Sequence, residues 1–192
     1  MVKVRRLTGL SVPVLLLLGA AFVPPLAAES KADVEFFQTT AIEAEKGSAV
    51  AQCALGACYE SGHGVAPDFG QAVKWYGKAA DQGDALAQSA LGACYERGRG
   101  VAKNFNEAVK WYAKSATQGC PHGQYNLATC YVKGHGLPRD YVEAHKWYSL
   151  AAAKDYPPAR KALPALEGRM TPDRLAEARR FPTVPLPEEK AK

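Results

Sequence analysis

The chain has 192 residues and carries 24 lysines and arginines against 19 aspartates and glutamates, a formal net charge of +5. Three of the basic residues and none of the acidic ones lie in residues 1–28, so the rest of the chain has 21 basic against 19 acidic residues, a net charge of +2. The lysines are interspersed with acidic residues, which is typical of a solvated surface. We therefore expect no nucleic-acid partner.

The N-terminal segment has the three parts of a secretory signal peptide. Basic residues come first, an apolar run covers residues 12–23, and small residues ending in Ala28 follow. We expect cleavage after Ala28, a periplasmic or secreted protein, and no stable membrane span once the signal is removed. An uncleaved anchor is the alternative, but the run is short for a span and Pro13 interrupts it.

Residues 29–46 match only the second half of the repeat that follows them in the chain. The stretch ends with Ala44 and Lys46 before Gly47, as a second helix of a repeat would. We therefore predict an N-terminal capping helix, in which Phe36 and Phe37 cover the apolar side of the first repeat.

Residues 47–154 repeat one motif three times, with units at 47–82, 83–118 and 119–154. The period is fixed at 36 residues by the tryptophans and tyrosines that recur at it: Trp75, Trp111 and Trp147; Tyr59, Tyr95 and Tyr131. A period in this range is typical of a solenoid.

Each unit is predicted to contain two helices. In the first unit, apolar residues at helical spacing indicate a helix from Ser48 to Ser61, and Gly62 ends it because glycine tolerates the left-handed backbone of a helix C-terminus. The second helix opens at Asp68, whose side chain can accept hydrogen bonds from the first turn, and it ends near Gly83.

The array is predicted to end in a partial repeat and a capping helix over residues 155–181. Thr171 and Pro172 mark the start of this last helix, with threonine at the cap and proline at the first helical position. The proline-rich tail, residues 182–192, is predicted to be disordered.

The repeated motif, AxxxLGxxYxxGxGVxxDxxxAxxWYxKAAxQG, resembles the Sel1-like repeat family, which is related to the tetratricopeptide repeat. The ordinary tetratricopeptide unit is about two residues shorter and lacks the GxGV step seen at residues 62–65. The resemblance implies an all-α fold, a right-handed α–α solenoid of antiparallel helix pairs with capping helices at both ends. It also implies an adaptor or scaffold for protein complexes.

Five cysteines in an exported chain raise the question of disulfides. Cys58, Cys94 and Cys130 occupy one repeat position, so neighbouring members should lie about 10 Å apart, beyond the reach of a disulfide. We expect three separate buried thiols that act as small apolar side chains. The other two, Cys53 and Cys120, lie more than one unit apart, which makes their pairing difficult.

The sequence shows no motif of a known catalytic centre, and we expect no enzyme activity, no cofactor and no metal. His63 and His135 share a loop position but lie two units apart, about 20 Å, too far to bind one metal ion. A cysteine-rich branch of the resembled family staples its helix pairs at positions equivalent to Ala80 and Gln88, and weak β-lactam binding or hydrolysis has been suggested for it. This chain lacks both cysteines. The hydrolase activity suggested for that branch is therefore a weak alternative for this chain.

We expect a protein or peptide partner to bind on the concave face formed by the first helices. The candidate residues point away from the buried leucine and tyrosine stripe. They are Ser48, Gln52, Glu60, Gln88, Glu96 and Gln124, with Val132 at the third equivalent of the glutamates. Because the glutamines recur in the family motif, a packing role for them is an equal alternative.

A binding site for cell-envelope glycan is the alternative function. Trp75, Trp111 and Trp147 form a ladder that could stack against sugar rings if their indole faces were open to solvent. Packing between units is the simpler explanation, since the tryptophans recur at helical spacing in every unit.

Overall fold

The computed structural model describes residues 30–180, which contain nine α-helices and no β-strand. The helices are α1 (Lys31–Glu45), α2 (Ala49–Ser61), α3 (Phe69–Asp81), α4 (Ala85–Arg97), α5 (Phe105–Thr117), α6 (Pro121–Lys133), α7 (Tyr141–Ala153), α8 (Pro157–Glu167) and α9 (Pro172–Arg180). None of these helices is both long enough and apolar enough to cross a membrane. The predicted signal peptide (1–28) and tail (182–192) lie outside the described residues.

The residues predicted to begin and end the helices do so in the structure. Asp68 caps α3 by accepting a 3.0 Å hydrogen bond from the backbone N–H of Gln71. The second helices of the next two units have the same type of cap, at Asn104 and Asp140. α2 ends at Gly62, which has a φ of 77° and donates its N–H to the carbonyl of Cys58. This left-handed turn reverses the chain toward the second helix of the unit.

Consecutive helices pack against each other from α1 on α2 to α7 on α8. Short loops join them, which makes neighbouring helices antiparallel. Each first helix therefore lies between the second helix of its own unit and that of the preceding one. This is the α–α solenoid that the sequence predicts.

The helices of one unit approach closely because small residues face aromatic rings. A Cβ atom added at Gly56 on α2 would lie 2.7 Å from Cδ1 of Tyr76 on α3, and one added at Gly92 would lie 2.7 Å from Cδ1 of Tyr112. Ala72 is fully buried beside this contact. Any larger side chain at these glycines would have to push the two helices apart.

The loop of each unit rests on the first turn of the preceding second helix. Gly100 has a φ of 72°, and a Cβ atom there would overlap the carbonyl oxygen of Phe69. Gly64 makes the same approach to the carbonyl of Asp33 on α1. α1 therefore stands where a preceding unit would have its second helix, and it covers the first unit.

At the other end, α8 and α9 both pack against α7. His145, a buried residue of α7, lies 2.9 Å from Glu167 on α8, between Nε2 and Oε1. This hydrogen bond, together with the Arg179 guanidinium at 3.3 Å, lowers the pKa of the Glu167 carboxyl. A polar contact thus joins the last repeat to the C-terminal helices.

Candidate functional site

The first helices of the three units, α2, α4 and α6, are those that the family resemblance places on the concave side of the solenoid. α4 packs directly against α6, and the side-chain amide of Asn126 donates a 3.2 Å hydrogen bond to Ser89 Oγ across that contact.

Solvent-facing positions recur along these three helices at helical spacing. We call the surface that they form the inner face. Each unit contributes two positions. They hold Val50, Leu86 and His122, and Ser61, Arg97 and Lys133. Val50 is 73% exposed and Leu86 is 54% exposed, so the face carries large apolar side chains near the helix N-termini. Near the C-termini of α4 and α6 it is basic.

Glu60 lies at the edge of the inner face but makes internal contacts. Its Oε2 accepts a 2.9 Å hydrogen bond from the hydroxyl of Tyr76 in the same unit, while its Oε1 lies 4.0 Å from Arg97 and 3.9 Å from Arg99 of the next unit. Burial and the neighbouring carboxylate raise the pKa of Tyr76, so this tyrosine stays protonated and donates. Glu60 therefore links two units.

Glu96 repeats this arrangement one unit further on. Its Oε2 accepts a 2.8 Å hydrogen bond from Tyr112, and its Oε1 lies 4.0 Å from Lys133 and 3.7 Å from His135. In the third unit the equivalent residue is Val132, and no carboxylate stands at this position.

The three predicted glutamines are buried between units instead of lying on an open face. Gln52 donates from Nε2 to the carbonyl of Ala44 at 3.1 Å, and its Oε1 accepts from Gln82 at 2.7 Å. Gln88 makes the same two contacts, with Ala80 and Gln118. These side chains satisfy the C-terminal carbonyls of the preceding second helices, which supports the packing alternative for them.

Gln124 occupies the same place in the third unit with one difference. Its Nε2 lies 3.4 Å from the carbonyl of Ala116, but its buried Oε1 has no hydrogen-bond partner among the described residues. Lys154 stands where the first two units have their second glutamine, and it donates to the carbonyl of Gly119 instead. The glutamine contacts therefore change at the last unit.

Ser48 is exposed and caps α2, with its Oγ accepting a 3.3 Å hydrogen bond from Ala51 N. It lies at the edge of the inner face next to Val50. The six predicted residues thus occupy three settings: an exposed cap, buried contacts between units and partly buried ion pairs. The exposed positions now placed on the inner face were missed, although their 36-residue recurrence is visible in the sequence.

The tryptophan ladder lies in the packed part of the solenoid. Trp75 is 6% exposed, and Trp111 and Trp147 are half-buried. The ammonium group of Lys78 lies 3.7 Å from the ring centre of Trp75, and that of Lys114 lies 4.1 Å from the ring centre of Trp111. The indole faces of the first two tryptophans are thus occupied by the protein's own groups.

The histidines are separate from each other. His63 lies 3.5 Å from Asp33, His135 stacks on Phe105 with ring centres 4.1 Å apart, and His122 packs beside Tyr156. Among residues 30–180, no group of three or more histidine, cysteine or acidic side chains is arranged to hold a metal ion.

All five cysteines are free thiols. Cys58, Cys94 and Cys130 are buried, which confirms the prediction that they pack as small apolar side chains. Burial raises the pKa of Cys94 to about 11 and that of Cys130 to about 12. Burial, with the carboxylate of Asp84 beside it, raises the pKa of Cys53 to about 12 as well.

The comparison with protein-family models identifies three Sel1 repeats, at residues 49–84, 85–120 and 121–156. These segments have the predicted 36-residue period, begin two residues later than the predicted units, and together cover more than half of the chain. A comparison with curated proteins finds no match.

Among solved structures, a protective antigen of uropathogenic Escherichia coli with an SLR fold is 33% identical, with a TM-score of 0.69. A Sel1 repeat protein from Oxalobacter formigenes is 31% identical, with a TM-score of 0.62. The matches cover 74% and 77% of this chain, which spans 31% and 66% of those two proteins. With three matched repeats, and a fold shared with Sel1-repeat structures at this identity, the chain belongs to the Sel1 repeat family.

Proposed function

We propose that this protein is an exported, non-catalytic interaction module that binds a protein or an extended peptide along the inner face. The Sel1-repeat fold is a general scaffold for protein–protein interaction, which supports a protein partner. The observation that carries the choice of face is the recurrence of exposed side chains at matching positions of α2, α4 and α6.

The chemistry of the inner face indicates what the partner must offer. Val50 and Leu86 expose large apolar side chains one unit apart. Arg97 and Lys133 add positive charge at the far edge. We therefore propose a partner segment with apolar side chains opposite the first edge and acidic groups opposite the second.

Export is part of the proposal and depends on the N-terminal sequence pattern. The tripartite segment in residues 1–28 predicts removal after Ala28 and delivery to the periplasm or the exterior. Mass measurement of the chain recovered from cell fractions tests this step. A chain that begins at Glu29 in the periplasm or medium supports export, whereas an intact chain in the cytoplasm contradicts it.

Affinity capture from an envelope extract tests the binding face. The bait is residues 29–192, and the test variant combines Val50→Ser with Leu86→Ser, both exposed on the inner face. The control combines Ile42→Ser with Lys74→Gln. Ile42 is also 54% exposed and Lys74 is exposed, but both lie on helices outside the inner face. We avoid changing Glu60 or Glu96, because their loss would break contacts between units.

The proposal expects a protein that the parent and the control retain and the test variant loses. Equal retention by all three baits would contradict the inner face as the binding surface. The burial of Trp75 gives no support to the glycan alternative, whose stacking surface it would have to provide.

A further inference from the structure

A small cavity of about 230 Å³ lies at the C-terminal end of the solenoid, between the loop of the third unit and the turn from α8 to α9. Its lining residues are Arg139, Tyr141, Arg169, Met170, Thr171 and Arg174. Three of these six carry a guanidinium group. We call this cavity the arginine pocket.

The positive charge of the arginine pocket is only partly neutralised within residues 30–180. Arg174 forms ion pairs with Glu177 at 3.0 Å and with Asp140 at 3.5 Å. The Asp140 carboxylate also accepts two backbone N–H groups as the cap of α7. Arg139 and Arg169 form no ion pair with any carboxylate in this part of the chain. Arg169 instead donates to the hydroxyl of Tyr141 and lies over its ring.

The equivalent place one unit earlier is filled, and one of its two lysines is paired with a carboxylate. There Lys133, which the repeat step aligns with Arg169, lies 4.0 Å from Glu96. The ring of His135 stacks on Phe105 and occupies the space beside it.

At the C-terminal end, 36 residues further on, both of these positions hold different residues. Val132 occupies the position of Glu96, so the carboxylate is missing. Thr171 occupies the position of His135, so a small side chain replaces the imidazole, and the Arg169 guanidinium lies over the Tyr141 ring. Together with the earlier end of α8, at Glu167, these two replacements leave an excess of guanidinium groups at the cavity.

We propose that the arginine pocket binds a small oxyanion, a carboxylate or phosphate group, between the guanidinium groups of Arg139 and Arg169. A planar guanidinium offers paired N–H donors that match two oxygens of such a group. The hydroxyl of Tyr141 accepts from Arg169, and its own proton is available to a ligand oxygen. The cavity is smaller than a drug-sized site of about 300–1,000 Å³, which suits one small anionic group.

Isothermal titration calorimetry of the purified chain with inorganic phosphate, and separately with acetate, tests the proposal at constant ionic strength. We expect saturable binding of at least one anion with a Kd on the order of 1 mM. The two titrations distinguish a phosphate from a carboxylate preference. Arg139→Gln with Arg169→Gln should weaken binding by about tenfold or more, because both guanidinium groups are lost.

The matched control is Lys103→Gln with Lys133→Gln, which changes the equivalent positions one unit earlier and should leave binding unchanged. Thr171→His keeps all three arginines but should block the pocket with a ring, as His135 does at Phe105. Absence of saturable binding in the parent, or equal weakening by the arginine and lysine variants, would overturn the proposal. Circular dichroism confirms that each variant is folded.

Discussion

The junction between the first and second units and the junction at the C-terminal end use the same repeat positions with different side chains. At the first, Glu60 accepts from Tyr76 and faces two arginines of the next unit. At the second, Val132 replaces the glutamate, and Tyr148 pairs with Thr129 at 2.9 Å instead. The comparison shows that a polar contact between units is kept only where both units carry the side chains that form it.

The glutamine contacts make the same point. Gln88 has partners for both ends of its amide, whereas the Oε1 of Gln124 is buried without one among the described residues. The helix that follows α7 departs from the repeat, and Lys154 replaces the glutamine that would have completed the pair. Departures from the motif at the C-terminal end therefore leave polar groups that the interior units satisfy.

The largest expected effect comes from breaking a contact that every unit shares. Gly100→Ala should lower the free energy of unfolding by about 3 kcal/mol, because alanine disfavours this left-handed backbone and its Cβ would overlap Phe69. Gly77→Ala is the control. Gly77 lies within α3 with open space around it, so alanine should stabilise by about 0.5–1 kcal/mol. Urea unfolding followed by circular dichroism measures both, and equal stabilities would contradict the loop contact.

Substitution of the buried glutamines tests whether the interior units and the last unit differ in stability. Gln88→Met should cost about 2 kcal/mol, since it leaves the buried carbonyl of Ala80 without its partner. Gln124→Met should cost about 1 kcal/mol or less, because it also removes an unsatisfied buried oxygen. Denaturant unfolding of both variants gives the difference. A larger loss for Gln124→Met would contradict this account of the last unit.

The stability that the C-terminal junction contributes should depend on pH. The pKa of Glu167 is lowered from its ordinary value of 4.5, first by the hydrogen bond with His145, so its contribution to stability is present above that value. It is lost as the pH falls through the lowered pKa. Glu167→Gln should therefore cost about 1 kcal/mol at neutral pH and little in strong acid. Unfolding measured at both pH values checks this, and a pH-independent difference would argue against a contribution from the ionised Glu167 carboxylate.

The junction between the first and second units and the junction between the second and third units should behave alike in the reactivity of their cysteines. Burial raises the pKa of Cys94 to about 11 and that of Cys130 to about 12. Both thiols should therefore react with iodoacetamide more than about a hundredfold slower in the folded chain than a free cysteine of pKa about 8.5. Mass spectrometry of labelled folded and unfolded chains measures this. Rapid labelling of the folded chain would show that these helices open readily.

Much of the fold could be predicted from the sequence because its signals are local and repeated. The 36-residue step, the cap at Asp68 and the left-handed turn at Gly62 each act within a few residues, and the structure contains them where expected. Repetition of the motif in three units made each assignment independent of any single residue.

The candidate site was harder to predict because it depends on how units stack. Gln52 and Gln82 are 30 residues apart, and no helical pattern shows that they meet. Glutamine at the boundary of an apolar stripe suits an open face as well as a contact between helices. The paired recurrence of glutamines at 52 and 82, and again at 88 and 118, was the available signal for an internal contact.

Photo-crosslinking tests the central claim, that the inner face binds the partner, most directly. A photoreactive amino acid replaces Leu86 on the inner face in one chain and Ile42, which is equally exposed, in another. We predict that the partner crosslinks efficiently from position 86 and weakly or not at all from position 42. Equal crosslinking from both positions, or crosslinking from position 42 alone, would contradict binding on the inner face.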